Sequence, residues 1–427
     1  MPFDCRHRQR FGPDACLSGC PAAPPVFETV RVQRQDELPP SEPHLVDIAV
    51  LDMHHGWPNL GHDAIVQAMQ NALCDISGPL RKSGIGFRAI SYDIRRGEQV
   101  IPEPPGGRHV LYVGTGGPGH LDPRMNDGST EGSQGINEDP SWEPRLFGLF
   151  DAIRASDTAA LLAVCHTFGV MCRWLGIADA VLRGPEKGGK STGVVENILT
   201  AEAVAHPWFS RFAEALPDGR RLFALDNRLY DLIPRGPLPA GVTAIAYEAL
   251  GKGGARGDAL TMMEVARDDG GMMPRVFGVN HHPEIVNRAR LLDTLEKQFE
   301  RGDVNREWYE GRKKTLTEPV ADQWGDRLIH LTSSYTFMAP LRFHLYKLAR
   351  LRGEALARPL AIDEAALPLS YAIARGPRTR QPRPPPGDVE ILSRHLPGRS
   401  AKKAGGPALS IHLESCSNGH NCLGFIR

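Results

Sequence analysis

The stretch from Leu161 to Gly176, LLAVCHTFGVMCRWLG, limits the possible fold more than any other part of this chain. Four apolar residues lead directly into Cys165, and apolar residues then recur at helical spacing as far as Gly176. This pattern predicts a buried parallel strand, a sharp turn and a helix that packs back on the sheet.

A cysteine in such a turn lies at the carboxyl end of a strand and beneath the N-terminus of a helix. The helix dipole and the free backbone amides there favour the thiolate, which is the nucleophilic form of cysteine. The alternative is a buried structural cysteine, because free cysteines are among the most buried residues. Cys165 alone does not decide between the two.

The segment Val276–Ile285, VFGVNHHPEI, is a short apolar strand that leads into His-Pro-Glu. Together with Cys165 it supplies a nucleophile, a base and a carboxylate that could orient the base. Glu284 follows His282 by two residues, so the two side chains would project the same way along a strand.

A third segment, VLYVGTGGPGH over residues 110–120, combines an apolar strand with a glycine-rich loop. The three segments, in this order, resemble the class I glutamine amidotransferases, in particular the amidotransferase domain of GMP synthetases. That family places Gly-x-Cys-x-Gly-His-Gln before a helix, ends in Gly-Val-Gln-Phe-His-Pro-Glu and has a Gly-Gly-Pro-Gly oxyanion loop. The resemblance extends over about residues 45 to 300.

The resemblance implies hydrolysis of an amide through a cysteinyl thioester. Cys165 would attack the side-chain carbonyl of glutamine, His282 would pass a proton to the departing ammonia, and Glu284 would orient the imidazole ring. The backbone amides of Gly117 and His166 would form the oxyanion hole, which stabilises the tetrahedral intermediate.

The chain departs from the family pattern beside the nucleophile. The flanking glycines of the family are Ala163 and Thr167 here, and its glutamine is Gly169. We expect Thr167 and Gly169 to belong to an altered substrate pocket that binds free glutamine weakly. The family's base immediately precedes Pro-Glu, which selects His282, and His281 stands where the family usually has phenylalanine.

Two other functions remain open at this point. The Cys165-His166 pair also resembles the intracellular protease and chaperone-like branch of this fold, in which His166 would be the base and the substrate another amide or γ-glutamyl bond. The second alternative is a catalytically silent binding module that keeps the fold. The His-Pro-Glu segment favours the amidotransferase branch.

Strands and helices alternate along the chain from Leu45 onward, which predicts an α/β fold. We expect a flavodoxin-like, doubly wound, mostly parallel sheet with helices on both faces, followed by a C-terminal helical extension. Four regions are predicted: a disordered leader over 1–44, the amidotransferase-like domain over 45–300, the helical extension over 301–375, and a disordered tail rich in proline and arginine over 376–427.

The segment Gly184–Ser191, GPEKGGKS, matches the phosphate-loop pattern. That loop requires a helix beginning at its Lys-Ser, whereas the residues from Gly193 onward favour a strand. Nucleotide binding at this segment is therefore disfavoured, and the sequence does not settle whether it binds phosphate.

The formal net charge is +0, so no overall field draws the chain to nucleic acid or membrane. No apolar run is long enough to span a bilayer and the N-terminus lacks an apolar signal core, so we expect a cytoplasmic protein. We expect no metal and no cofactor, since Cys5, Cys16 and Cys20 lack a standard zinc spacing. The expected partners are a small amide, with glutamine as the leading candidate, and an ammonia acceptor or a synthetase partner protein.

Overall fold

The structure is a computed structural model that describes residues 26–362 apart from 57–58, 185–186, 188, 252, 286–287, 303 and 318–322. The strands are β1 (Phe27–Val32), β2 (Leu45–Asp52), β3 (Gly86–Asp93), β4 (His109–Gly114), β5 (Ala160–Val164), β6 (Ala178–Leu182), β7 (Ser191–Leu199), β8 (Arg221–Arg228), β9 (Tyr230–Pro234), β10 (Thr243–Ala249), β11 (Arg256–Arg267) and β12 (Pro274–Val279). The helices are α1 (Leu60–Cys74), α2 (Ser77–Ser83), α3 (Trp142–Ala155), α4 (His166–Trp174), α5 (Ala201–Ala205), α6 (Phe209–Ala215), α7 (Arg288–Glu300), α8 (Arg306–Thr317), α9 (Gln323–Ser333) and α10 (Ala339–Ala355).

Ten strands form one sheet in the order β1-β3-β2-β4-β5-β12-β11-β10-β7-β8. The first six strands in this order, which end with β12, are parallel to their neighbours. The last four, β11, β10, β7 and β8, pair antiparallel. The run β3-β2-β4-β5-β12 has the flavodoxin-like order 2-1-3-4-5. The predicted fold class is therefore confirmed. Strands β6 and β9 form a separate antiparallel pair.

Helices cover both faces of the sheet, and the alternation along β2 shows how. Ile48 and Val50 point into a core shared with α1, α6 and α10, whereas Ala49 and Leu51 point into a core shared with α3 and α4. Successive residues of a strand face opposite sides, so a strand covered on both faces is mostly apolar on each of them. This explains the apolar run over residues 48–51, whereas the buried Asp47 before it is paired with Arg88 and Arg108.

Two of the predicted region boundaries do not match the structure. The disordered leader over 1–44 is wrong for residues 26–44, because Phe27–Val32 forms β1 and pairs with β3 from Phe27–Phe87 to Val32–Tyr92. The C-terminal region is helical as expected, but Leu341 of α10 packs in the same core as β2. Residues 1–25 and 363–427, which include the remainder of the predicted leader and the whole predicted tail, lie outside the described residues.

The carboxyl ends of β2, β4, β5 and β12 lie at one edge of the sheet. Because these strands are parallel neighbours, the segments that follow them come together there. The loop after β4 carries Gly116–Gly119, Cys165 follows β5, and the His-Pro-Glu segment follows β12.

Candidate active site

Cys165 occupies a strained turn between β5 and α4. Its φ of 49° lies in the left-handed region, which non-glycine residues rarely adopt. The backbone amide of Cys165 donates to the carbonyl of Val279 (2.7 Å), and the amide of Gly169 donates to the carbonyl of Cys165 (3.0 Å). These bonds tie the turn to the neighbouring strand β12 and to the helix. Backbone strain of this kind often marks a functional position, and the thiol is partly accessible here.

Thr167 is accommodated by a glycine on the neighbouring strand. Its hydroxyl donates to the carbonyl of Thr115 (2.7 Å), and its backbone amide donates to the same carbonyl (3.3 Å). A Cβ added at Gly114 would lie only 2.3 Å from Cγ2 of Thr167. The absence of a side chain at Gly114 on β4 thus makes room for the Thr167 side chain, which is fully buried.

His282 and Glu284 lie together in the turn that follows β12, which ends at Val279. Nδ1 of His282 and Oε1 of Glu284 are 2.8 Å apart, and Glu284 is almost completely buried. Their side chains contact each other within this turn. The expectation that both project from a strand is therefore wrong, because β12 ends before them. Nε2 of His282 has no hydrogen-bond partner among the described residues, and the ring lies close enough to Cys165 for the thiolate to act on its pKa.

The charges around His282 favour its protonated form. Burial lowers the pKa of His282, but the carboxylate of Glu284 and the thiolate of Cys165 outweigh it and raise the pKa well above the usual value. A Cβ added at Gly116 would lie 3.0 Å from Cε1 of His282 and 3.5 Å from Cβ of Cys165. The side chains of His282 and Cys165 therefore lie on either side of Gly116, where a larger residue would crowd the His282 ring.

His281 and His166 differ from His282 in their surroundings. His281 is fully buried, both its ring nitrogens lack partners among the described residues, and burial lowers its pKa to about 3. Burial, followed by the charges of Arg95 and His54, holds the pKa of His166 well below its usual value. Both rings are therefore neutral at pH 7, and of the three only His282 has an orienting carboxylate in the part of the chain that the structure describes.

The glycine-rich loop after β4 is held close to the end of β2. A Cβ added at Gly117 would lie 2.3 Å from the carbonyl oxygen of Met53, so the position requires glycine. The buried guanidinium of Arg95 donates to the carbonyls of Met53 (2.8 Å) and Pro118 (2.7 Å) and is anchored by Glu138. The loop is thus fixed from below by a buried ion pair.

The two backbone amides predicted to form an oxyanion hole are available to a ligand. The amides of Gly117 and His166 make no hydrogen bond with another group in the described ranges. Gly117, His166 and Cys165 all line the same cavity. Free amides beside a partly accessible thiol are the arrangement that an oxyanion hole requires.

The thiol opens into a cavity of about 490 Å³. Its wall contains residues that no sequence motif singles out as site residues, namely His54, Leu121, Lys190, Asn227 and Arg312. Asn227 follows Asp226 on β8, between the cysteine and histidine segments. Lys190 belongs to the phosphate-loop-like segment, and Arg312 comes from α8 in the predicted helical extension.

Thr167 and Gly169 are buried beside the cavity and do not contribute to its wall. A Cβ added at Gly169 would lie 2.5 Å from both methyl carbons of Leu121. Leu121 therefore fills the space into which a glutamine at 169 would extend, and it presents an apolar surface to the cavity. The role of Thr167 and Gly169 in binding substrate stays a prediction.

The phosphate-loop-like segment does not have the fold of a nucleotide-binding phosphate loop. Strand β7 begins at Ser191, where a phosphate loop requires the first turn of a helix. Lys190 points instead toward the cavity beside Cys165. Pro185, Glu186 and Gly188 lie outside the described residues.

Neither a metal cluster nor a membrane span is present in the described part of the chain. Within it, no group of three or more histidine, cysteine, aspartate or glutamate side chains is placed to hold a metal ion. No helix in the same ranges has both the length and the apolar character needed to cross a membrane.

Among the three comparisons with known proteins, matches are found only among solved structures. No model of a known family matches it, and no curated protein sequence matches it. One similar solved structure is a protein from Thermoplasma acidophilum provisionally assigned as a subunit of GMP synthase, with 13% identity, a TM-score of 0.30, and coverage of 56% of this chain and 85% of that one. A ThuA-like protein from Bacteroides uniformis has 9% identity, a TM-score of 0.29, and coverage of 57% of this chain and 86% of that one. At these values the fold assignment rests on the strand order itself: the chain is an α/β protein with a flavodoxin-like sheet.

Proposed function

We propose that this protein is a cysteine-dependent amide hydrolase that works through a thioester on Cys165, with glutamine or a related amide as substrate. The observation that carries the proposal is the position of His282, whose Nδ1 contacts Glu284 while its ring lies beside Cys165, since a Cβ added at Gly116 would be 3.0 Å from Cε1 of His282 and 3.5 Å from Cβ of Cys165. An orienting carboxylate, a base and a nucleophile in this sequence of contacts are what acyl transfer requires.

The proposed reaction begins with attack of the Cys165 thiolate on the amide carbonyl carbon. The carbonyl oxygen becomes an oxyanion, which accepts hydrogen bonds from the backbone amides of Gly117 and His166. His282 then donates its Nε2 proton to the amide nitrogen, the C–N bond breaks, and ammonia or an amine departs. The acyl group remains on sulfur as a thioester.

Hydrolysis of the thioester reverses these roles. His282 accepts a proton from water as the water oxygen attacks the thioester carbonyl carbon. The C–S bond breaks, the carboxylic acid product leaves, and Cys165 and the protonated His282 are restored. In the proposed function, the released ammonia passes to an acceptor molecule or to a synthetase partner.

A second candidate substrate is an amide other than glutamine. The observation that favours it is Leu121, which occupies the space beside Gly169 and makes that part of the cavity wall apolar. A pocket that lacks a polar partner for a substrate group loses about 1 to 3 kcal/mol of binding relative to one that supplies it. This corresponds to about tenfold to a hundredfold in affinity.

The experiment is an ammonia-release assay with glutamine, asparagine and a series of γ-glutamyl and acyl amides. We expect turnover of at least one amide, and Cys165→Ala should lower it by about 10³-fold or more. Cys74→Ala, which removes a partly accessible cysteine on α1, is the matched control and should keep the wild-type rate.

Mass spectrometry of protein quenched during turnover should show an acyl adduct on the peptide that contains Cys165. Turnover that survives Cys165→Ala would overturn the proposal. So would a protein that hydrolyses no amide and forms no adduct with a diazoketone analogue of glutamine, and that outcome would favour a silent binding module.

A further inference from the structure

Two cationic side chains in the cavity have no role in the reaction derived above. Lys190 lies directly before β7, and Arg312 reaches the cavity from α8. Both side chains are close enough to Cys165 for its charge to act on them. They come from segments far apart in the sequence, and the fold brings them to the same side of the thiol.

Neither cation has a carboxylate ion-pair partner among the described residues. Glu284 contacts His282, and Asp226 accepts from Arg228 (2.8 Å) and from Ser191 (2.7 Å). Glu307 of α8 also lines the cavity and forms no ion pair with Lys190 or Arg312. Lys190 is exposed and Arg312 is partly buried, so the missing ion pair is the more unusual for Arg312, because an unpaired charge within a protein is costly.

The positive charge of Arg312 acts on Lys190. Enclosure by protein, followed by the positive charge of Arg312, lowers the pKa of Lys190, although Cys165 and Asp226 act in the opposite direction. The anion that both cations share within the cavity is the Cys165 thiolate. Acylation of the sulfur removes the negative charge of the thiolate, so neither Lys190 nor Arg312 then has this anion beside it.

Arg312 is held in place by neutral groups. Its guanidinium lies over the ring of Trp308, with 5.3 Å between the guanidinium carbon and the ring centroid. The carboxamide of Asn227, oriented with its oxygen toward α8, accepts from Nη1 and from Nη2 (3.1 Å) of Arg312. An arginine fixed by an aromatic ring and an amide oxygen keeps its full charge, and its planar fork suits a carboxylate or a phosphate.

We propose that Lys190 and Arg312 form an anion subsite beside Cys165, so that the substrate is an amide whose molecule also carries a carboxylate or a phosphate group. This inference rests on the proposed function, since it names the class of molecule that the same cysteine would act on. In the proposed subsite, Lys190 and Arg312 determine specificity for substrates that carry a negative charge, and α8 is a part of the active site.

The test uses two alkylating reagents of nearly the same shape, neutral iodoacetamide and anionic iodoacetate. In both reactions the thiolate sulfur forms a bond to the reagent's methylene carbon and iodide leaves. Rates at Cys165 are measured by peptide mass spectrometry on the full-length protein, and the ratio of the iodoacetate rate to the iodoacetamide rate is compared with that of glutathione. The ratio cancels any change in the amount of thiolate.

We expect the ratio at Cys165 to exceed that of glutathione by about tenfold or more, because the anionic reagent gains a charge-assisted contact. Arg312→Gln and Lys190→Gln should each move the ratio toward the glutathione value, and Arg312→Lys should restore part of it. Arg235→Gln, which removes an exposed cation paired with Asp179, is the matched control and should leave the ratio unchanged.

Small anions show whether the subsite prefers a carboxylate or a phosphate group. Acetate and inorganic phosphate are each tested for protection of Cys165 against iodoacetamide, and the one that protects at the lower concentration identifies the preferred group. Protection should be lost in Arg312→Gln.

The outcomes separate this inference from the proposed function. A ratio equal to that of glutathione, or one that neither variant changes, overturns the anion subsite while amide hydrolysis by Cys165 can still be observed. A Cys165 that reacts with neither reagent overturns both. Turnover of an uncharged amide in preference to its carboxylate-bearing counterpart overturns the subsite alone.

Discussion

Oε1 of Glu284 lies 2.8 Å from Nδ1 of His282, and Nε2 is the ring nitrogen that has no partner among the described residues. The carboxylate accepts from Nδ1–H, so Nε2 is the atom left to exchange a proton with sulfur or substrate. Gly61 of α1 leaves room for this contact, since a Cβ there would lie 2.9 Å from Oε1 of Glu284.

The first prediction concerns Glu284→Gln, which keeps the shape of the side chain and removes its charge. His282 has a raised pKa in the folded protein, so its protonation adds stability that is complete below about pH 6.5 and is lost as pH rises through the folded-state pKa. The variant loses this contribution. It should be less stable than the wild type by about 3 kcal/mol at pH 6, and by less at pH 10.

Urea unfolding of both proteins at the two pH values measures the difference. Glu354→Gln on α10, an exposed position, is the matched control and should change stability by less than about 0.5 kcal/mol at either pH. A destabilisation by Glu284→Gln that is the same at pH 6 and pH 10 would show that the carboxylate does not hold the proton on His282.

The second prediction concerns His281, whose ring is buried without partners among the described residues and whose pKa is lowered to about 3. This histidine is neutral in the folded protein and becomes protonated in the unfolded chain below about pH 6.5, so the free energy of unfolding decreases as pH falls from 6.5 toward 3. His281→Phe removes this loss of stability at low pH. Relative to the wild type, the variant should gain about 2 kcal/mol at pH 5 compared with pH 7.5.

The comparison between pH values cancels any cost of fitting the larger ring. Thermal or urea unfolding at pH 5 and pH 7.5 gives the four free energies needed. His44→Phe, at a half-exposed position, is the control and should show a much smaller dependence on pH. An equal effect of His281→Phe at both pH values would contradict the prediction.

The apolar strands can be predicted from the sequence because each is buried on both faces. The apolar runs Leu45–Asp52 and His109–Gly114 indicate strands with the bounds that the structure shows for β2 and β4. Strand β1, FETVRV, escapes such prediction because only its two ends are buried and its middle carries Glu28 and Arg31. It belongs to the sheet through backbone pairing with β3, which leaves no periodic signal in the side chains.

Motifs locate the cysteine, the histidine and the glycine-rich loop, because each follows a strand that ends at the same edge. They give no sign of Arg312. The sequence of α8, REWYEGRKKTLT, has the composition of a solvated helix, and nothing in it separates Arg312 from its charged neighbours. Only the burial of Tyr309 and Leu316 in one cluster with Leu295 of α7 and Leu60 of α1 shows which face of this helix is turned inward.

The third prediction concerns the two cysteines of the nucleophile turn and its helix. Cys172 is fully buried and burial raises the pKa of its thiol, whereas Cys165 is partly accessible and lies at the N-terminus of α4. Iodoacetamide should therefore label Cys165 in the native protein across pH 5 to 9 and should label Cys172 only after unfolding. Peptide mass spectrometry with and without urea measures both sites.

Cys74 on α1 is an internal reference for a partly accessible thiol outside the cavity. Cys165 should react faster than Cys74 at pH 6. Equal labelling of Cys165 and Cys172 in the native protein, or modification of Cys165 only above about pH 8.5, would mean that the turn does not activate its thiol.

The fourth prediction tests the altered pocket. Gly169→Gln would place a side chain against Leu121, so the single variant should lose about 1 to 3 kcal/mol of stability through overpacking. Leu121→Ala opens that space, and the double variant should recover part of the loss. A double-mutant cycle by urea unfolding should give a favourable coupling between the two positions of about 0.5 to 3 kcal/mol.

The same cycle measured for glutamine hydrolysis shows whether the space matters for substrate. If the proposed function is correct, the double variant should use free glutamine better than either single variant. Gly148→Gln, at a helical glycine of α3 with open space around it, controls for the cost of placing glutamine in a helix. Additive effects at 121 and 169 would show that the two positions do not share the space.

The contribution of α8 to the cavity has a consequence for how the protein is made. Cys165 and His282 leave the ribosome before Arg312 does, because synthesis runs from the N-terminus. A nascent chain that has completed the sheet still has one wall of the cavity missing. If Lys190 and Arg312 form the proposed anion subsite, that subsite is complete only after α8 has emerged and packed against α7, so its formation follows the order in which the chain is translated.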